Sequence, residues 1–213
     1  MRYFVIGDTH WGAPATSRCV IDCGRPFDAD NLCRSNWKRL VASEDMVIHV
    51  GDVAFTFADL KEFLNSLPGI KILVRGNHDS KSVSWYMRNG FSFACDGFIM
   101  SSCYFTHRPL PTLPEGASIN IHGHVHNRYP RGYRKYPHSR LFALEYENYS
   151  PRIVSSFVSS IEKEEPYIPP VDAPEGLEDL KVVNDFIGEQ QSRTPGRIKK
   201  TLSRWERIKQ YFV

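Results

Sequence analysis

The sequence predicts an α/β fold with a sheet that is at least partly parallel, and three observations lead there. Short runs rich in Val, Ile and aromatic residues recur along the chain, each closed by Gly or polar residues. Segments with helical spacing separate the first three runs, which is the alternation expected of βαβ units. Clusters of histidine and carboxylate come directly after the runs, and in α/β architecture the carboxyl ends of strands converge on one edge where ligands bind.

In chain order, Tyr3 to Ile6, Met46 to Val50 and Ile70 to Val74 read as buried strands. Leu32, Trp37, Leu40 and Val41 have helical spacing between the first two. Leu60, Phe63, Leu64 and Leu67 have it between the second and third, ended by Pro68-Gly69. Phe98 to Phe105, Ile119 to Ile121 and Leu141 to Leu144 come next with turn signals and little helix between them, which predicts an antiparallel second sheet. Two sheets flanked by helices would bury all six runs.

At about 150 residues per domain, a chain of 213 residues holds one domain and an appendage. Hydrophobic residues make up 41%, enough for a sizeable core. A net charge of +3 is too mild for a dedicated nucleic-acid binder relying on phosphate neutralisation. Five cysteines without a CxxC pair point to neither a disulfide framework nor a thiolate zinc site, so a reducing, cytoplasmic setting is expected. The apolar run before Asp8 is too short for a signal-peptide core, and no stretch reaches the roughly 18 apolar residues of a membrane span.

Composition divides the chain into a body at 1–155, a Ser- and Pro-rich acidic linker at 156–190 and a basic amphipathic helix at 191–213. Ile198, Leu202, Trp205, Ile208 and Phe212 share one face of that helix. It is expected to dock on its own domain, with a protein partner or a membrane surface as alternative occupants.

The chemistry lies in the residues at the strand ends: Asp8 and His10, then Asp52, then Asn77-His78-Asp79, then His107, then His122-Gly123-His124-Val125-His126. Neutral imidazoles with carboxylates are ligands for borderline divalent metals such as Zn, Mn, Fe and Ni. Seven candidate ligands (Asp8, His10, Asp52, Asn77, His107, His124 and His126) exceed the needs of one ion that keeps a position open for water. Two divalent ions are implied, and a carboxylate shared between them would offset their repulsion; Asp52 is assigned that bridge. His49, inside an apolar run, is read as a packed core residue, His122 as a strand-end residue and His138 as solvated.

Five motifs, D-x-H, G-D, G-N-H-[DE], H and G-H-x-H, occur in that order, and together they resemble the metallophosphoesterases, or calcineurin-like phosphoesterases. The resemblance covers residues 1–155. It is nearest to small bacterial and phage members, which also carry an R-P-F segment (Arg25-Pro26-Phe27) and a helix with N-W (Asn36-Trp37). It implies a four-layer α/β/β/α sandwich, a first ion held by Asp8, His10 and His126, and a second held by Asn77, His107 and His124, with Asp52 between them. His78 matches the family's non-ligand histidine near the leaving group, and Asp79 is assigned to orient it. The expected reaction is hydrolysis of a nucleotide or other small phosphoester by a metal-bridging hydroxide, with His78 assisting the departing oxygen. Manganese is the metal expected to support it in vitro.

The chain departs from those relatives at Trp11-Gly12-Ala13, where they often carry a further histidine. Val53-Ala54-Phe55 lacks the D-R-G of phosphoprotein phosphatases, which makes phosphoproteins poor candidate substrates. Arg75, Arg108 and Arg128 are expected to pair with substrate phosphate. The alternating basic and aromatic segment at 127–136 would suit phosphate clamping with base stacking. The competing functions are a nuclease acting on nucleic-acid ends and a scaffold that keeps the fold without turnover.

Overall fold

The computed structural model describes residues 1–164 and 166. β1 (Tyr3–Ile6), β2 (Met46–His49) and β3 (Ile70–Val74) are parallel neighbours. β4 (Phe93–Cys95) extends this sheet in parallel beside β3, and β9 (Arg152–Ile153) closes its other edge antiparallel to β1, giving the order β4-β3-β2-β1-β9. The crossovers carry α1 (Arg18–Ile21), α2 (Ala29–Leu40), α3 (Leu60–Asn65) and α4 (Val83–Arg88). Helix α2 buries Trp37 completely and its indole N–H donates to the Pro68 carbonyl at 2.9 Å, so one side chain ties the helix to the turn that ends α3. Ser82 caps α4 by accepting from Trp85 N–H at 3.2 Å.

The second sheet has the order β5-β6-β7-β8, from Phe98–Met100, Cys103–Phe105, Ile119–His122 and Ser139–Leu141. The sequence predicts an antiparallel arrangement here, yet only β5 and β6 pair that way; β6, β7 and β8 run parallel. The connections 106–118 and 123–138 are long enough to return the chain to the same end without an α-helix, so a lack of helical pattern does not imply hairpins. The run Phe98 to Phe105 is likewise two strands. Ser101 and Ser102 both take left-handed φ (50° and 62°) and make a two-residue hairpin turn without the usual Asn or Gly signal. Phe142 to Leu144 is buried but lies beyond the end of β8.

One continuous core joins the sheets, with Val5, Ile6, Ile48 and Leu73 from the first and Phe105, Ile121 and Phe142 from the second. Two parallel-rich sheets, with helices in the crossovers of the first and α5 after the second, fit the α/β/β/α sandwich class. Residues 155–160, Ser-rich by composition and assigned almost entirely to the linker, belong to helix α5 (Val154–Ile161), which buries Val154, Phe157 and Ile161. The serines occupy the other face, so a composition count misses an amphipathic period. Most of the acidic linker and all of the C-terminal helix lie outside the described residues. All five cysteines are free thiols. No helix among the described residues is long and apolar enough to cross a membrane.

Candidate metal centre

Strand register explains why residues more than 100 positions apart meet. Ile6, His49 and Leu73 are paired across β1, β2 and β3, so the turns beyond them leave the sheet at one level. Asp8 N–H donates to the Gly51 carbonyl at 2.9 Å, and His10 N–H to that of Asp52 at 3.0 Å, locking the first turn to the second. In the other sheet, Phe105 and Ile121 are paired, which sets His107 beside the turn at Gly123 and His124. The sheets are joined at this edge by His107 Nδ1 on the Val50 carbonyl (2.8 Å) and by His124 N–H donating to Asp8 Oδ2 (2.9 Å).

Asp8, His10, Asp52, His124 and His126 all adopt left-handed φ, between 47° and 75°. Non-glycine residues rarely take that conformation, and such strain collects where function needs a side chain aimed against the local backbone preference. Two glycines make the room. A Cβ on Gly76 would lie 2.1 Å from Asp52 Oδ1, and one on Gly123 would lie 2.2 Å from Asp8 Oδ2.

The candidate ligands fall into two adjoining clusters, Asp8 with His10 and His126, and Asp52 with His107 and His124, each with its potential donor atoms within 4.8 Å of one another. Asn77 joins the second through Oδ1, 2.9 Å from His107 Nε2, the same nitrogen that lies 3.2 Å from His124 Nδ1. Asp52 Oδ2 stands between the clusters, 3.6 Å from His10 Nε2 and 3.4 Å from His107 Nε2. Asp8 Oδ1 and His10 Nδ1 are buried with no hydrogen-bond partner. Orphaned buried polar atoms are costly, and a divalent ion would satisfy Asp8 Oδ1, so the donor set fits the metal.

Without an ion, the four imidazoles divide into two neutral and two that hold a proton a metal would displace. Burial, with the nearby charge of His126, holds His10 down to about 3, and burial with His107 and Arg108 does the same for His124, so both are neutral as ligands must be. Burial opposes charge on His126 as well, but Asp8 and Glu145 outweigh it and push the imidazole well above its ordinary range. His107 is raised because its contact with Asp52 and the charge of Asp8 overcome burial. Burial works against the Asp52 carboxylate, but the hydrogen bond and charge of His107 win and hold it well below the usual carboxylate range.

His78 sits at the mouth, its side chain 57% exposed, with Nε2 4.0 Å from Asp52 Oδ2 and its ring edge-on to His10. Its backbone N–H donates to Asp52 Oδ1 at 2.9 Å. Asp79 does not contact the His78 ring as the sequence-based assignment requires. Its carboxylate is buried and accepts from three backbone amides, Asp52 (2.8 Å), Gly76 (2.7 Å) and Val53 (3.0 Å). Adjacent residues point apart, and Asp79 is spent on joining the two ligand turns.

Arg75 pairs with Asp96 at 2.6 Å and with the Lys81 carbonyl, while Arg108 is exposed and makes no side-chain hydrogen bond or ion pair among the described residues. Both line a cleft of about 290 Å³ beside Asn77 and His107. Arg128 lies in the short turn His126–Arg128. The basic and aromatic segment after it is not a stacking platform. Tyr129 and Tyr133 are buried and stacked on each other, and Arg131 is bound by Glu147 and Glu164.

His49 is buried against Thr9 Oγ1 at 2.8 Å, His122 is buried at the end of β7, and His138, expected in solvent, meets the Leu110 carbonyl at 2.8 Å. Sequence reasoning missed Glu145, whose Oε1 lies 3.1 Å from His126 Nδ1, and gave no role to Arg25, which is buried against it. No spacing marks Glu145, and the Arg25-Pro26-Phe27 segment marks Arg25 without giving it a task; both matter because the fold carries them under Asp8 and His126.

No curated protein sequence matches the chain. Among solved structures it is similar to a protein of unknown function, AQ665, from Aquifex aeolicus, with 22% identity and a TM-score of 0.58 over 75% of this chain and 98% of that one, a likeness of fold. A family model described as calcineurin-like phosphoesterase matches residues 1–183, most of the chain and all of the motif turns. With the strand-end turns built as that family's motifs require, the chain belongs to the calcineurin-like phosphoesterases, enzymes that hydrolyse phosphoester bonds with the help of metal ions.

Proposed function

We propose that the protein hydrolyses small phosphoesters, nucleotides foremost, at a two-ion centre. The observation that carries the reading is the position of Asp52 Oδ2, within 3.6 Å of an imidazole nitrogen of each cluster. When bound, divalent ions supply Lewis acidity toward phosphoryl oxygens and lower the pKa of water. Asp8, His10 and His126 would hold one, Asn77, His107 and His124 the other, and the Asp52 carboxylate would face both.

The remaining steps belong to the chain's own side chains. His78, exposed at the mouth yet tethered through its backbone to Asp52, can reach the departing oxygen and give it a proton, a contribution of about 10²–10⁴ in rate for general acids. Asp79 acts one step removed by fixing the turns that carry Asp52 and His78.

Phe55 supports an aromatic leaving group, because it is 46% exposed with its ring 6.1 Å from that of His10. Arg108 in the adjacent cleft supports a second anionic group on the substrate. The internal stacking of Tyr129 and Tyr133 removes the support that the sequence lent to polynucleotide binding. The test is turnover by Mn²⁺-reconstituted protein over p-nitrophenyl phosphate, bis-p-nitrophenyl phosphate, nucleotides, cyclic nucleotides and single-stranded oligonucleotides. Chelator-sensitive hydrolysis of the small substrates is expected. Faster turnover of oligonucleotides would favour the nuclease, and no turnover of any phosphoester with Mn²⁺, Fe²⁺, Zn²⁺ or Ni²⁺ would favour the scaffold.

A further inference from the structure

We infer that Arg25 and Glu145 form a buried positioning pair that presents His126 and the 8–10 turn to an ion, and that this makes the Asp8 cluster the tighter of the two metal sites. The inference rests on the two-ion reading of the centre. The guanidinium of Arg25 donates through Nε to Glu145 Oε1 (2.9 Å), through Nη1 to the Thr9 carbonyl (2.8 Å) and through Nη2 to the Asp8 carbonyl. Its side chain and that of Glu145 are both more than nine-tenths buried.

Each contact has a consequence for the ion site. Glu145 Oε1 accepts from His126 Nδ1 at 3.1 Å, and that bond leaves Nε2, 3.9 Å from Asp8 Oδ1, as the nitrogen without the proton once a metal binds. Arg25, by holding the carbonyls of Asp8 and Thr9, clamps the turn on which Asp8 and His10 take left-handed φ. Cys23 lies near enough to His126 and Glu145 to make a third set of metal-capable groups. Arg25 Nη2, 3.4 Å from His126 Nδ1, already brings a positive charge there, so that set is closed to a cation.

In the second cluster Asp79 joins the turns, and Asp52 and His107 are buried, but no carboxylate among the described residues stands behind a ligating histidine. Its His107 is held on the far side by the neutral Val50 carbonyl, Asn77 is exposed and His124 is partly so, whereas Asp8, His10 and His126 are all buried. A site whose ligands are aimed before binding loses less freedom when the ion arrives. Carboxylate partners behind ligating histidines are typically worth about 10–100-fold in metal affinity.

The experiment is a Co²⁺ titration of metal-free protein followed by visible absorption and by calorimetry, on wild type, Glu145→Gln, Glu145→Ala and Arg25→Met. Wild type is expected to take up its first equivalent at least about 10-fold more tightly than its second, with Glu145→Ala weakening the tighter step by about 10–100-fold and sparing the weaker. Glu145→Gln, which still accepts from His126, should lie between. A merely structural pair would lower Tm in all three variants without changing the ratio of the two affinities, and that result would overturn the proposal. Should a variant fail to fold, Glu145→Gln and the wild-type ratio carry the test, and equal affinities in wild type would overturn it. A single equivalent at saturation in wild type would defeat the two-ion reading instead, while weakening of that one equivalent in Glu145→Gln would still locate it at His126.

Discussion

Asp79→Asn tests whether the aspartate next to His78 serves proton transfer or architecture. The buried carboxylate accepts from Asp52 N–H and Gly76 N–H through Oδ2 and from Val53 N–H through Oδ1. An asparagine whose carbonyl replaces Oδ2 keeps two of these as neutral bonds and turns its own NH₂ toward the Val53 amide. Downgrading two charged hydrogen bonds costs about 1 kcal/mol each and orphaning a buried donor about 1–3 kcal/mol. Burial pushes the Asp79 carboxyl up, so removing the charge returns part of that cost. The net loss is about 2–4 kcal/mol, which for a body of this size is roughly 5–15 °C in Tm. The assay is a thermal melt and a urea titration of metal-free protein, paired with kcat on esters of good and poor leaving groups. Because Asp79 sets the turns under Asp52 and His78 together, activity should fall for both esters alongside the loss of Tm. An unchanged Tm with a kcat loss that deepens for the poorer leaving group would refute this reasoning and restore Asp79 as the partner of the His78 ring.

His78→Ala should lower kcat by about 10²-fold or more while metal content stays at two, with a smaller deficit for p-nitrophenolate, and loss of an ion would reassign it as a ligand. Asp52→Asn should weaken both ions, since a neutral amide cannot offset two dications as a carboxylate does; equilibrium dialysis showing only one affected would move the bridge elsewhere. The raised imidazole of His126 has a pH consequence whose sign is definite. Its contribution to the metal-free fold is fully present below the ordinary histidine value of about 6.5 and is lost as pH rises through its higher folded value. The ion must displace that proton, so affinity of the Asp8 cluster should rise with pH over the same window, and weakly buffered Mn²⁺ titrations should show proton release. Release of no protons near neutral pH would contradict it.

The chemistry is legible in the sequence because each ligand sits in a turn directly after a β-rich run, and strand ends of an α/β sheet converge whatever lies between. Asp8, His10, Asp52, His107, His124 and His126 can therefore be named as one constellation from order and residue type alone. Residues 155–160 mislead for the opposite reason, since counting serines is blind to the spacing that buries Phe157 and Ile161. The parallel course of β6, β7 and β8 is hidden because pairing depends on where a loop returns, and the loops 106–118 and 123–138 carry no periodic signal of it. Asp79 misleads because its neighbour in sequence is not its neighbour in space: its carboxylate reaches across to Asp52 and Val53 on another strand's turn. Glu145 is invisible for a related reason. Its partners, His126 and Arg25, come from segments 19 and 120 residues away, and only the packed fold brings their charges together under the site. Local pattern sets which atoms can bind a metal, whereas burial and hydrogen bonds between distant segments set which of those atoms are held and aimed and which carry a proton.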